Sequence, residues 1–379
     1  MQVIKGKFNV AKVMIDEIDP ATHEQIRGFV NNPAFGGKHR IAIMPDCHKG
    51  VGSCIGFTME LGDYIMPQIV GVDIGCGMLA ANLSTTEIDP AKLDDYIKAN
   101  IPAGHCINAE IDGMAATIEG IPDICAEIGA EKAKVYKAIG SLGGGNHFIE
   151  ADRDEAGNVW IVIHSGSRNF GKRIAEYYQG EARKLMEKYF IDVERDMEFI
   201  LRSESVAGEY LIAMRTAQLY ASANRKAMMT RIVDFLGASV GEVVESVHNY
   251  IDFDDEIIRK GAIRAHEGEK CIIPFNSAEG SALCVGKGNK DWNQSAPHGA
   301  GRLMSRTQAF DTLDYKEYQA KLAGNGVFST TANSSTLDEA PMAYKSKDTI
   351  IDAIKETVDI VSMLKPFYNF KASEGGRRK

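Results

Sequence analysis

The chain has 379 residues, 44% hydrophobic and 25% charged, with a formal net charge of −9. That is ample for a packed core and unlike a disordered chain, and the acidic balance excludes a protein coated with nucleic acid over its whole surface, leaving room only for a local basic groove. Seven irregularly spaced cysteines without a C-x-x-C pair exclude a disulfide framework or a zinc ribbon, and the absence of a long apolar run or an apolar leader core makes a cytoplasmic address and no membrane partner the expectation.

The first two-fifths alternate glycine with short apolar runs that predict strands at Ile41–Met44, Val51–Met59, Ile69–Val72 and Met78–Leu83. Helices are expected from Pro20 to Val30 and from Asp89 to Ala99, where Pro90 suits a first helical turn, with a weaker helical stretch over Ala126–Ile139. After a strand at Val159–His164 the composition shifts to Ala, Met, Leu, Glu and Arg, predicting helices at Arg173–Tyr189, Val193–Leu201, Ser205–Leu236 and Val240–Val247. Strands return at Lys270–Pro274 and Ala282–Val285, and a closing helix is expected over Lys347–Leu364. No repeat or linker divides the chain. The pattern is α+β with mixed sheets, one domain over 1–379 carrying a helix-rich insertion at about 173–248.

The octapeptide Ser295-Ala296-Pro297-His298-Gly299-Ala300-Gly301-Arg302 sets one imidazole beside small residues and a guanidinium. Backbone N–H groups of Gly299, Ala300 and Gly301 can approach a phosphate closely, and Arg302 can neutralise it. Ligand-type side chains recur in similar settings: Asp73 and Cys76 in Val70–Gly77, His147 in Gly143–Glu150, His164 in Ile161–Arg168, and His248. A carboxylate, a thiolate and three imidazoles from separate segments point to a metal site assembled by a large fold, with zinc, manganese, iron and cobalt all compatible. Lys260, Arg264, Lys270, Lys287, Lys290, Arg302 and Arg306 outnumber the acids around them, which predicts either a basic groove or a solvated surface, and Arg377, Arg378 and Lys379 close the tail.

These residues resemble the RtcB family of RNA-splicing ligases. Met44–Gly50, Val72–Gly77, Gly143–Phe148, His164–Arg168, Arg259–Ala262 and His298–Arg302 occur in the family's order and span most of the chain. The resemblance implies an RNA ligase that joins a 3′-phosphate or 2′,3′-cyclic phosphate end to a 5′-hydroxyl end, in RNA repair or tRNA splicing, using GTP and two Mn2+ ions. It implies that His298 becomes guanylylated, that Asp46 orients its ring, and that Asp73, Cys76, His147, His164 and His248 bind the metal pair with Cys76 shared. Asn146 and Arg302 are implied phosphate contacts and Glu150 a guanine contact. In the divergent loop Phe275–Ser281 the candidates for guanosine contact are Asn276, Ser277 and Ser281, and near the C-terminus Lys371 matches the nucleotide-contacting lysine. The chain is similar to a shorter, bacterial-type branch, and an archease-type activator is a possible partner. The alternatives are a two-metal RNA-end phosphoesterase or cyclic phosphodiesterase, and a noncatalytic RNA-binding protein.

Overall fold

The computed structural model describes residues 1–37 and 39–372; the tail with Arg377, Arg378 and Lys379 lies outside the described residues. Two large sheets organise the chain, the first mixed through one parallel pair, Val10–Val13 with Ile41–His48, and the second antiparallel throughout. The first has six strands in the order Gln2–Lys5, Val10–Val13, Ile41–His48, Ile55–Glu60, Ile257–Lys260, Asn249–Asp252. The second has seven, in the order Val240–Val247, Gly77–Leu83, Val159–Ser165, Phe148–Arg153, Val358–Lys371, Gly280–Gly286, Lys270–Asn276. A short ribbon of Ala262–Arg264 and Ser295–Pro297 brings the octapeptide beside them. The α+β expectation holds.

The second sheet is apolar on both faces, so strand alternation separates two cores. One face carries Leu79, Ala81, Ile149, Ile161 and Ile163 against Met228, Met229, Ile232 and Val233 of the helix Ser205–Leu236. The other carries Met78, Ala80, Phe148, Val162 and Val244 with Ile272, Leu283 and Leu364. The helix Arg168–Lys188 packs on the 32-residue helix through Phe170 on Tyr220 and Tyr178 on Tyr210, ring centroids 5.1 Å apart in both pairs. No helix among the described residues is long and apolar enough to cross a membrane.

The helices at Pro20–Asn31 and Pro90–Asn100 begin where expected, because Asp19 and Asp89 cap the free amides of the first turn. Other expectations fail. Val240–Val247 is a strand paired with Gly77–Leu83, so the helix-rich stretch ends at Leu236. The closing helix stops at Ala353, and after one 3-10 turn Val358–Lys371 runs as a strand through the middle of the sheet. Val193–Leu201 is turn and a two-residue strand, Ile69–Val72 falls at the end of the helix Pro67–Val70, and the stretch at 126–139 is parts of two short helices.

Candidate active site

Four neighbouring strands of the second sheet end on the same edge, and their ends carry the candidate metal ligands. Cys76 precedes Gly77, which faces both Val247 and Ser165 in register; His164 lies opposite Met78 and Phe148; His147 precedes Phe148; and His248 follows Val247. Strand pairing alone therefore collects a thiol and three imidazoles that lie up to 172 residues apart in the chain. The approach is tight: a Cβ on Gly166 would lie 2.1 Å from Asp73 Oδ1.

The donor atoms form a continuous chain. His147 Nε2 is 3.1 Å from Asp73 Oδ2 and 3.4 Å from Cys76 Sγ, which is 3.2 Å from His164 Nε2, itself 3.3 Å from His248 Nε2. His164 Nδ1 lies 3.0 Å from the carbonyl oxygen of Asn146. A carbonyl only accepts, so Nδ1–H donates and Nε2 presents its lone pair to the cluster. Burial holds His164 and His248 well below the usual imidazole range, so both are neutral. Burial, helped by Asp73, pushes the Cys76 thiol up. Ligand atoms of Cys76, His147 and His164 lie within 4.8 Å of one another, with the Asp73 carboxylate and His248 at the two ends of the chain, a donor set that fits a borderline-soft divalent cation, whose charge would also turn the thiol into thiolate. Asp73, Cys76, His147, His164 and His248 are the residues that could hold it, with Cys76 central.

The octapeptide approaches from the other side. His298 Nδ1 is 2.6 Å from Asp46 Oδ2, and Asp46 is completely buried. With Nδ1–H given to the carboxylate, Nε2 is left with a lone pair. The His298 ring lies 4.8 Å from the His248 ring, centroid to centroid, so the dyad abuts the donor cluster. Gly301 lets the loop close on the strand Ile41–His48: its φ is +74° and a Cβ would sit 2.4 Å from the Asp46 carbonyl.

Between dyad and cluster opens a cavity of about 320 Å³ lined by Asp73, Cys76, Asn146, His164, His248, His298 and Gly299–Arg302, and extending to Glu150, Asn276, Ser277 and Lys371. The family model described as tRNA-splicing ligase RtcB matches residues 30–125 and 125–372. The RNA-splicing ligase RtcB of Escherichia coli K12 is 33% identical over 365 residues, covering 86% of this chain and 88% of the relative. The tRNA-splicing ligase RtcB of Aeropyrum pernix is 28% identical over 399 residues, covering 81% and 82%.

The chain belongs to the RtcB family of RNA-splicing ligases.

Not every predicted contact of this RtcB-family chain faces the cavity in the same way. His147 lies behind the cluster, in a second cleft of about 750 Å³ that shares Asp73 and Asn146 with the first and is lined by Lys134, Arg168, Lys172 and Arg173. Asn276 uses its side-chain oxygen on the amides of Ala278 and Glu279, both at 3.0 Å, and its amide on Glu279, which commits it to a turn. Ser277 Oγ is buried and unpartnered on the cavity wall, whereas the equally unpartnered Ser281 Oγ lies in the strand Gly280–Gly286, away from the lining. Burial pushes Glu150 up to about 7, and Asn369 Nδ2 donates to it at 2.7 Å.

Arg302 and Lys371 share an acid that the sequence did not single out. Glu339, 1% exposed, lies 3.2 Å from Arg302, 3.1 Å from Arg306 and 2.9 Å from Lys371, and accepts from the Tyr344 hydroxyl at 2.5 Å. Burial alone would raise it, but these cations outweigh burial and hold it at about 2. Its only sequence signal is an acidic pair, Asp338-Glu339, in a Ser-rich stretch. Of the basic residues that left a groove and a solvated surface both open, Arg264 pairs with Glu269, Lys270 with Glu242, Lys287 with Asp359, and Arg306 with Asp338 and Glu339. Lys260 is buried and donates to the Val51 carbonyl.

Proposed function

We propose that this chain joins an RNA end bearing a 3′-phosphate or 2′,3′-cyclic phosphate to one bearing a 5′-hydroxyl, with GTP as the activating substrate and two Mn2+ ions. The observation that carries this reading is the Asp46–His298 dyad, with His298 Nδ1 held at 2.6 Å and its ring in one cavity with Asp73, Cys76, His164 and His248 of the donor cluster. His298 Nε2 attacks the α-phosphorus of GTP; the P–N bond forms and pyrophosphate leaves. An oxygen of the RNA 3′-phosphate then attacks that phosphorus, the P–N bond breaks, and the 3′ end carries GMP through a pyrophosphate. In sealing, the 5′-hydroxyl oxygen attacks the RNA 3′ phosphorus and GMP leaves. A cyclic phosphate is first hydrolysed to the 3′-phosphate.

Manganese bound by Asp73, Cys76, His147, His164 and His248 would neutralise the triphosphate and activate oxygen nucleophiles. The chain's own residues do the rest. Asp46 fixes the tautomer, the amides of Gly299–Gly301 and the side chains of Asn146 and Arg302 bind phosphate, and Glu150 takes the guanine edge with Ser277 beside it. Lys371, anchored on Glu339, neutralises charge near the nucleotide. The larger cleft behind Asp73 carries Arg168, Lys172 and Arg173, with Lys134 paired to Glu131, and this cationic side suits an RNA strand. An archease-type activator and a cytoplasmic setting complete the reading.

The experiment offers 3′-phosphate, 2′,3′-cyclic phosphate and 3′-hydroxyl ends against 5′-hydroxyl and 5′-phosphate strands, with GTP and Mn2+. Joining of the first two to 5′-hydroxyl strands is expected. Hydrolysis of the cyclic phosphate without joining would replace the ligase by a phosphoesterase, and binding without either would leave an RNA-binding protein.

A further inference from the structure

One imidazole in the cavity has no task in that scheme. His48 ends the strand Ile41–His48, pairs with Ile55, and lines the same cavity as His298. Its Nδ1 lies 3.0 Å from the carbonyl oxygen of Asp46. The carbonyl can only accept, so Nδ1 carries the proton and Nε2 a lone pair. Asp46 thus holds two imidazoles in one tautomer: His298 through its carboxylate, His48 through its main chain. Burial lowers the affinity of His48 for a second proton, keeping it neutral at pH 7.

The proposed steps differ in their demand for a base. His298 Nε2 has no proton to lose when it attacks GTP, and pyrophosphate leaves as a stable anion. The RNA 3′-phosphate is already an anion when it attacks the guanylylated histidine. Sealing uses an alcohol, which must shed its proton as the new P–O bond forms; opening a cyclic phosphate draws a proton from water, but it precedes guanylylation, so RNA that already carries GMP isolates the alcohol's demand.

His298 Nε2 stands beside the guanylyl phosphorus it has just released, on the leaving-group side of an in-line displacement, and the other groups around the cavity are committed. His147, His164 and His248 point Nε2 into the donor cluster, Asp46 is bound to His298, Glu150 accepts from Asn369, and Arg302, Arg306, Lys371 and Tyr344 converge on Glu339. We infer that His48 Nε2 is the base that takes the proton from the RNA 5′-hydroxyl during sealing, an inference that rests on the ligase reading above. The O–H bond breaks toward His48 Nε2, the 5′ oxygen bonds the 3′ phosphorus, the bond from that phosphorus to the GMP oxygen breaks, and GMP departs with the electron pair. The imidazolium returns its proton to water.

The test uses the full chain and RNA already carrying the 3′ pyrophosphate-linked guanosine, mixed with a 5′-hydroxyl strand under single-turnover conditions. His48→Ala is expected to seal about 100-fold or more slowly, the usual scale for loss of a general base, while still forming the GMP adduct from GTP. Added imidazole should restore part of the sealing rate of His48→Ala and none of that of the bulkier His48→Gln. Sealing at the wild-type rate overturns the assignment. So does a parallel fall in adduct formation and sealing without imidazole rescue, which would make His48 a structural support. If the wild-type protein forms the adduct but neither variant is affected, only this inference fails; if the wild-type protein forms no adduct, the ligase reading itself fails.

Discussion

Replacing Asp46 with alanine removes the partner of His298 without touching any donor-cluster residue. The lost contact is a 2.6 Å hydrogen bond to a completely buried carboxylate. Bonds of this charged kind are worth roughly 1.5–3 kcal/mol, and at about 1.4 kcal/mol per factor of ten the loss corresponds to a 10- to 100-fold slower attack on GTP. Freed of the carboxylate, the ring also rotates and exchanges tautomers, placing a proton on Nε2 for part of the time, so the slowing should reach at least tenfold. Asp46→Asn, which keeps the shape and a neutral acceptor, should fall between wild type and alanine. The assay is the rate of formation of the acid-labile GMP adduct with labelled GTP, with metal content measured in parallel by mass spectrometry. Adduct formation by Asp46→Ala at the wild-type rate would refute the reasoning, and so would loss of bound metal, which would make Asp46 part of the metal site.

Cys76→Ala should lose metal and guanylylation together, because its sulfur lies 3.4 and 3.2 Å from two imidazole nitrogens; a fully loaded Cys76→Ala would contradict this. Glu339→Gln should destabilise the fold by about 3 kcal/mol at neutral pH, the value of a carboxyl held at about 2 instead of 4.5. That stability is present above its unfolded pKa and lost as pH falls through about 2, so the variant and wild type should converge in chemical denaturation at acid pH. Glu150, raised to about 7 by burial, has the opposite sign: its contribution is present below its unfolded pKa and lost as pH rises through about 7. Glu150→Gln should therefore melt no lower than wild type at pH 8 while its KM for GTP rises, and a GTP KM that does not change would remove Glu150 from the guanine site.

The parts of the fold written in local chemistry were legible in the sequence. Asp19 with Pro20 and Asp89 with Pro90 announce helix starts because capping is settled within a turn. Val240–Val247 and residues 358–364 read as helix but form strands because pairing partners far away in sequence, Gly77–Leu83, Gly280–Gly286 and Phe148–Arg153, override the local pattern. Of the site, the His and Cys positions stood out because glycine and strand ends frame them. Glu339 did not, since its importance lies in collecting Arg302, Arg306 and Lys371, a property of packing that no spacing encodes. His48 lay inside a quoted motif, yet its tautomer follows only from the distance to the Asp46 carbonyl.

The most direct measurement is to incubate the protein with GTP and Mn2+, digest it, and locate the nucleotide by mass spectrometry. GMP is expected on the peptide containing His298, absent in His298→Ala and discharged when RNA with a 3′-phosphate is added. GMP on another residue, or joining of RNA ends by His298→Ala, would contradict this.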